Sequence, residues 1–331
     1  MYRFHAQTRR IDWLFEQFAT SAVGGVREFV KIVNRVYYKH SVHRYVQPFV
    51  DDIRQQYRLM TNELRLAQRD DLTVVNVGGG SGFEYEQLLA NRVRWERYFF
   101  IEPDEAMLAV FRSRHRPSNR DVRLCWGTFD QFSDQLKQYE NKLVILHSCL
   151  HHIIWIEQFL DEVKQCMNVG DYLVLCHEPN NDYLWSPFMF LNYALRSATT
   201  DILLRKLGIW KSSHAGNDGQ PWTNINHELL DLGAIARPLK PLAIRRIIDY
   251  GVGTKGDWKL LNIPRDADEG HWTPADLAEY LGPSYETVYL NTYRILGYPG
   301  ASRLVGRLNH ILERFFRFSG SVFCCVFERR S

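Results

Sequence analysis

The sequence predicts an α/β protein built on a parallel sheet with crossover helices. Between residues 72 and 176, short unbroken apolar runs alternate with helix-sized amphipathic stretches. Strands buried on both faces read as continuous apolar runs, and their alternation with helices marks βαβ units. The first apolar run ends in Gly78, Gly79, Gly80 and Gly82, and a helix-like segment follows at once. The composition, 45% hydrophobic and 24% charged over 331 residues, is that of a globular chain able to bury a large core.

Each element has its own signal. Residues 11–67 read as helical: Ile11, Leu14, Phe15 and Phe18, then Val26, Phe29, Val30 and Val33, recur at helical spacing, with Gly24 and Gly25 as an interruption. Val46, Phe49, Val50, Ile53, Tyr57 and Met60 extend the pattern. Strand-sized runs follow at 72–77, 98–101, 122–126, 143–146 and 172–176. Helical stretches between them begin near Glu84 and cover 105–114, 132–139 and 156–166. Residues 179–283 break the alternation with Trp185, Phe188, Phe190, Tyr193, Trp210, Trp222 and Trp258 among Pro and Gly, and read as a lid or substrate-binding insertion. Two further strands, 286–293 and 322–327, flank a helical stretch at 303–318. The chain thus divides into an N-terminal helical cap (1–70), a ligand-binding α/β core (71–178), the insertion (179–283) and C-terminal elements that complete the sheet (284–331).

Charge and composition exclude several classes. A net charge of +3 gives no ground for a general nucleic-acid binder. The longest apolar runs fall far short of a membrane span. The start of the chain is polar and basic with no apolar leader segment, so a cytoplasmic protein is expected. Cysteines 125, 149, 166, 176, 324 and 325 are scattered without a C-x-x-C pair, which reads as reduced thiols and no metal site.

The glycine loop is the most informative segment. A strand end, glycines free to take positive φ and a new helix N-terminus together make a site for an anion or a closely approaching ligand. The spacing is G-x-G-x-G at 78, 80 and 82, and Phe83 stands where a dinucleotide fingerprint wants its third glycine. Glu102 ends the second strand, where a carboxylate can accept both hydroxyls of a ribose. Its alternative is a plain helix-entry residue.

These residues resemble a known family. The Gly78–82 loop, the Ile101-Glu102-Pro103-Asp104 turn with Met107, the Trp126-Gly127-Thr128-Phe129 turn, the Leu150-His151-His152 run and the His177-Glu178-Pro179-Asn180 strand end occur in the order seen in class I S-adenosylmethionine-dependent methyltransferases. The resemblance covers roughly residues 70–180 and the last two strands. It implies a Rossmann-like, seven-stranded, mostly parallel sheet with helices on both faces and the last strand antiparallel. It implies S-adenosyl-L-methionine as cofactor, held by Asn76, Gly78, Gly79, Gly80, Gly82, Glu102, Pro103, Met107, Gly127, Thr128, Phe129, His147 and Ser148. Two positions depart from the family: Asn76 and Thr128 stand where acidic residues are common, and Asn76 would meet an ammonium without charge assistance.

Methyl transfer from a sulfonium needs positioning, and a base only if the acceptor carries a proton. His151 and His152, in the loop after strand four, are the candidate bases, with packing of the next helix as their alternative. Glu178 is a candidate for orienting the acceptor, with a loop-holding role as its alternative. His147, His151, His152 and His177 have spacing that zinc can use, but no metal is expected. The stretch 303–318 is apolar at 304, 305, 308, 311, 312, 315 and 316 with Arg303, Arg307, Arg314 and Arg317 around it, a pattern of surface-binding helices. In this fold such a helix covers the sheet, so a membrane surface is not expected.

The sequence therefore points to methyl transfer onto a small-molecule acceptor of specialised metabolism, without nucleic acid and with a homodimer left open. Two other readings remain: an S-adenosylmethionine-binding protein that catalyses a non-methylation reaction, and a non-catalytic partner-binding module.

Overall fold

The computed structural model describes residues 20–41, 51–115, 122–150, 153, 156–180, 182–183, 186–188, 222–241, 243–244, 247, 272–296, 303–316 and 318–331. In chain order the elements are α1 (Val26–Ser41), α2 (Asp51–Glu63), β1 (Thr73–Val77), α3 (Phe83–Ala90), β2 (Arg97–Glu102), α4 (Glu105–His115), β3 (Arg123–Trp126), α5 (Ser133–Leu136), β4 (Lys142–His147), α6 (Ile156–Cys166), β5 (Tyr172–Pro179), α7 (Trp222–Asp231), α8 (Pro274–Leu281), β6 (Tyr285–Tyr293), α9 (Arg303–Phe315) and β7 (Val322–Arg329).

The strands form one seven-stranded sheet in the order β3-β2-β1-β4-β5-β7-β6. All pairs are parallel except those of β7, which runs antiparallel to β5 and β6. The strand order reverses between β1 and β4, and in open α/β sheets ligands bind outside the carboxyl ends of the strands at such a switch.

Alternation along each strand divides the core in two. Val75, Val77, Val144, Leu146, Leu173 and Leu175 face Leu160 and Val163 of α6 and Leu277 and Leu281 of α8. Val74, Leu143, Ile145 and Val174 face Tyr57 and Met60 of α2, Leu88 of α3, and Leu108 and Phe111 of α4. Two elements thus sit differently from the segmental reading. Helix α2, drawn within the N-terminal cap, covers the sheet directly. Helix α8, drawn within the insertion, packs on its other face.

A third cluster joins chain segments far apart in sequence. Phe29, Val33 and Val36 of α1 pack with Ile225 and Leu229 of α7 and with Ile235 and Leu239. Helix α1 and the α7 segment therefore share a core of their own. Trp185, Phe190, Tyr193, Trp210, Trp258 and the helical reading of 11–18 lie outside the described residues.

A buried ion pair holds the lower end of β4. Lys142 Nζ and the Asp171 carboxylate, both fully buried, are 2.9 Å apart. Asp171 also accepts the backbone N–H groups of Lys142 at 2.7 Å and Asn168 at 2.6 Å.

Candidate active site

The glycine loop is shaped by the protein's own side chains at three of its four glycines. A Cβ on Gly78 would meet Cys149 Sγ at 2.2 Å, one on Gly79 would meet the Phe100 ring at 2.4 Å, and one on Gly82 would meet Phe111 at 2.4 Å. Gly80 differs. Its φ is +54°, and among the described residues nothing lies within 4 Å of where its Cβ would be. Here the backbone is open to a ligand.

Glu102 sits against this opening. Its Oε2 accepts the Gly80 N–H at 2.8 Å and its Oε1 accepts the Asp104 N–H at 2.9 Å. A carboxylate has about four acceptor sites, so two remain for a ligand's hydroxyls. The helix-entry role belongs instead to Asp104, whose Oδ1 accepts the N–H groups of Ala106 at 2.8 Å and Met107 at 3.3 Å. Met107 is buried, and Pro103 is exposed. Across the sheet register from Glu102, exposed Trp126 donates its indole N–H to the Pro103 carbonyl at 3.2 Å. The Gly127 N–H bonds the Glu102 carbonyl at 3.1 Å, Gln131 Oε1 takes the Thr128 N–H at 3.0 Å, and the Phe129 ring is buried in the core against Phe159.

Asn76 points into the protein. Its amide N–H2 donates to Tyr98 at 2.9 Å and to Glu84 at 3.4 Å, while its Oδ1 is buried without a partner. Asp104 Oδ2 is buried without a partner as well. Glu84, which the sequence offered only as a helix start, is 3% exposed. Burial pushes its carboxyl up to about 8, and burial pushes that of Glu102 up to about 7. Desolvation raises the neighbouring Cys149 thiol, and the carboxylates Glu178, Glu102 and Glu84 add to that rise. No basic side chain offsets Glu84 or Glu102 among the described residues. Buried carboxylates without a cation are costly by themselves and are complementary to a cationic ligand.

A second group of side chains closes the other side of the crevice. His147, at the end of β4, lies 5.1 Å from the Phe83 ring and shares a 3.3 Å hydrogen bond between its Nδ1 and the Tyr57 hydroxyl. The following residue, Ser148, turns with φ +50° and donates its N–H to the Cys176 carbonyl at 2.8 Å. In β5 a bulge between Cys176 and Glu178, with His177 at φ +59°, breaks the alternation and turns His177 to the same side as His147. The two imidazoles stack with centroids 5.5 Å apart. Glu178 then faces the opposite way, where Oε1 accepts the N–H groups of Cys149 at 2.7 Å and Leu150 at 2.9 Å. That oxygen holds the turn after β4, the alternative role for Glu178. His151 and His152 lie outside the described residues.

His177 is gripped from β6. Arg294 Nη1 donates to its Nε2 at 3.2 Å, and its Nδ1 bonds the Tyr293 hydroxyl at 2.8 Å. Arg294 is fixed in turn by Asp52 of α2, at 2.5 Å and 3.2 Å to the two carboxylate oxygens. Tyr57, Glu84, Tyr293 and Arg294 carried no sequence signal. Tyr57 looks like one more apolar helix position, and the partners of Arg294 come from segments that only the fold brings together.

Taken with the glycine loop, the site offers an open backbone at Gly80, two unpartnered buried oxygens, two buried carboxylates and a wall of aromatic and imidazole rings. These residues fit an adenosine ligand that also carries positive charge. Among the described residues no group of His, Cys, Asp and Glu is placed to hold a metal ion, and no helix is long and apolar enough to cross a membrane.

Residues 75–175 match the family model of a methyltransferase domain. No curated protein matches the chain. Among solved structures, the chain is similar to a SAM-dependent methyltransferase from Anabaena variabilis at 13% identity and a TM-score of 0.47, covering 94% of this chain and 100% of that one. It is also similar to an S-adenosylmethionine-dependent methyltransferase from Mesorhizobium loti at 14% identity and a TM-score of 0.42, covering 83% and 96%. Likenesses at this level say nothing of an acceptor.

Proposed function

With residues 75–175 a methyltransferase domain of the class I S-adenosylmethionine-dependent superfamily, we propose that this enzyme methylates a small-molecule acceptor, of the kind found in specialised metabolism. The observation that carries the reading is the wall of Tyr57, Phe83, His147 and His177 beside the open glycine loop. Aromatic faces with a few convergent polar groups are what small-molecule pockets present.

S-adenosylmethionine supplies an activated methyl group on a sulfonium. The chain's own residues bind and orient it. Gly80 gives backbone access, and Glu102 offers its remaining acceptor sites to ribose hydroxyls. Glu84, raised to about 8 by burial, ionises on meeting the cationic cofactor and then supplies the negative charge that Asn76 lacks, so the acidic residue common before the first glycine is replaced from the following helix. Asn76, Gly78, Gly79, Gly82, Pro103, Met107, Gly127, Thr128, Phe129 and Ser148 complete the cofactor crevice in this reading.

In this reading His147, with Tyr57 on its Nδ1, can take a proton from a hydroxyl or ammonium acceptor. His151 and His152 follow in the same loop and are alternative bases. Glu178 keeps that loop in place through Cys149 and Leu150.

The test is transfer of isotopically labelled methyl from S-adenosylmethionine into a metabolite extract, read by mass spectrometry. A labelled small molecule is the expected result. Label confined to protein or nucleic acid, or cofactor binding without any transfer, would overturn the proposal. Single-turnover rates for Ala variants of His147, His151 and His152 then identify the base, whose loss lowers the rate by ~10²–10⁴-fold.

A further inference from the structure

Helix α9 is amphipathic in the reverse sense from a helix that covers a sheet. Its polar side faces the protein: Asn309 is buried and its Oδ1 accepts the Leu296 N–H at 2.7 Å, and Glu313 Oε1 accepts the Arg294 N–H at 2.9 Å. Its apolar side faces out. Leu308 is 40% exposed, Ile311 52%, Phe315 77% and, just past the helix end, Phe318 64%. Their spacing of three and four residues puts the helical ones on one face. Among the described residues, Leu308, Ile311 and Phe315 of this stripe face away from the sheet that the sequence pattern would have them cover.

The charges around the stripe are of one sign. Arg307 and Arg314 are exposed beside it, and Glu313, the helix's one carboxylate, is turned inward to Arg294. Burial also pushes the Glu313 carboxyl up to about 7. An exposed apolar patch rimmed by polar groups marks an interaction surface. The cationic rim selects the partner. Two copies meeting through this face would oppose arginines with arginines, whereas an anionic lipid surface accepts the apolar side chains and the arginines together.

We infer that α9 docks the protein on anionic lipid bilayers, with Leu308, Ile311, Phe315 and Phe318 in the headgroup–acyl boundary and Arg307 and Arg314 on lipid phosphates. The helix is tied through Glu313 and Arg294 to the His177 wall, so the crevice adjoins the docked surface. The inference rests on α9 alone and does not depend on the acceptor proposed above.

The experiment is flotation of the full chain with vesicles of phosphatidylcholine, with and without phosphatidylglycerol. Wild type is expected to float with the phosphatidylglycerol vesicles, less so as salt is raised. The double variant Ile311→Glu, Phe315→Glu should lose ~10-fold or more of this association, with an unchanged thermal midpoint because both side chains are exposed. Arg307→Gln with Arg314→Gln should remove the preference for phosphatidylglycerol. No association of wild type at low salt, or association undiminished in the apolar double variant, would overturn the inference. So would sedimentation showing a wild-type dimer that Phe315→Glu splits, since the face would then belong to a second copy.

Discussion

Arg294 donates a hydrogen bond to Nε2 of His177, 3.2 Å away, and so decides which ring nitrogen carries the proton. A guanidinium has no acceptor, so Nε2 holds a lone pair and the proton sits on Nδ1, donated to Tyr293. His177 is thereby a fixed neutral face against which His147 stacks. Arg294→Leu should release this tautomer, seen as a change of the His177 ring nitrogen signals in ¹⁵N NMR. Turnover should fall while cofactor affinity stays within a few-fold. Unchanged ring signals would show that Tyr293 alone sets the tautomer.

In the proposed cofactor site, Glu102 should make binding pH-dependent. Burial raises its carboxyl to about 7, and ribose hydroxyls donate best to the ionised form. Below that pH, binding must expel the proton, so affinity should rise by up to ~10-fold per pH unit towards 7 and level off above it. The same shift acts on stability in the opposite direction. A carboxyl raised by folding favours the folded state at low pH, and that contribution is lost as pH rises from the unfolded value near 4.5 towards 7. Glu102→Ala should weaken binding by ~1.5–3 kcal/mol by calorimetry.

Glu84→Gln should separate function from stability. The buried carboxyl, raised to about 8, ionises at a cost to the fold, so the neutral amide should raise the thermal midpoint above pH 8 in the absence of ligand. Affinity for S-adenosylmethionine should fall, and by more than affinity for S-adenosylhomocysteine, which lacks the sulfonium charge. Equal losses for both ligands would assign Glu84 a role toward the part they share.

Gly78 and Cys149 should behave as a coupled pair. A Cβ on Gly78 would collide with Cys149 Sγ at 2.2 Å but with Cys149 Cβ only at 3.2 Å. Gly78→Ala should therefore destabilise strongly, and Cys149→Ala should recover part of the loss. What remains reflects the positive φ of +66° at this position, worth ~1–2 kcal/mol. Additive effects in denaturant unfolding would contradict the contact.

Asp171→Asn should cost ~3–5 kcal/mol, because it leaves the Lys142 ammonium buried without its counter-charge. Lys142→Met with Asp171→Leu should cost less than the single change. A single-variant loss below ~1 kcal/mol in urea unfolding would mean that solvent reaches the pair.

How much of this was legible in the sequence follows from which interactions are local. The five parallel strands, the glycine loop and the carboxylate at Glu102 are set by contiguous residues: apolar runs buried on both faces, glycines at a turn, an acid at a strand end. The first four strands were readable within a residue, as for β1 at Thr73–Val77, while β5 runs three residues past its predicted end to Pro179. The direction of β7 came from family resemblance and the structure bears it out. What a side chain faces is not local. Strict period-2 alternation would set His177 on the face of Leu173 and Leu175, and the bulge turns it towards His147 instead. Helical periodicity gave Tyr57 an apolar face but could not say that this face meets His147. For α9, periodicity found the two faces correctly and the fold reversed their sense, because Leu296 and Arg294 present backbone N–H groups that Asn309 and Glu313 satisfy. Composition and pattern determine which segments become strands and helices and where the glycine loop turns. Long-range packing decides which side chains converge on them, since each such contact joins residues whose separation no local pattern encodes.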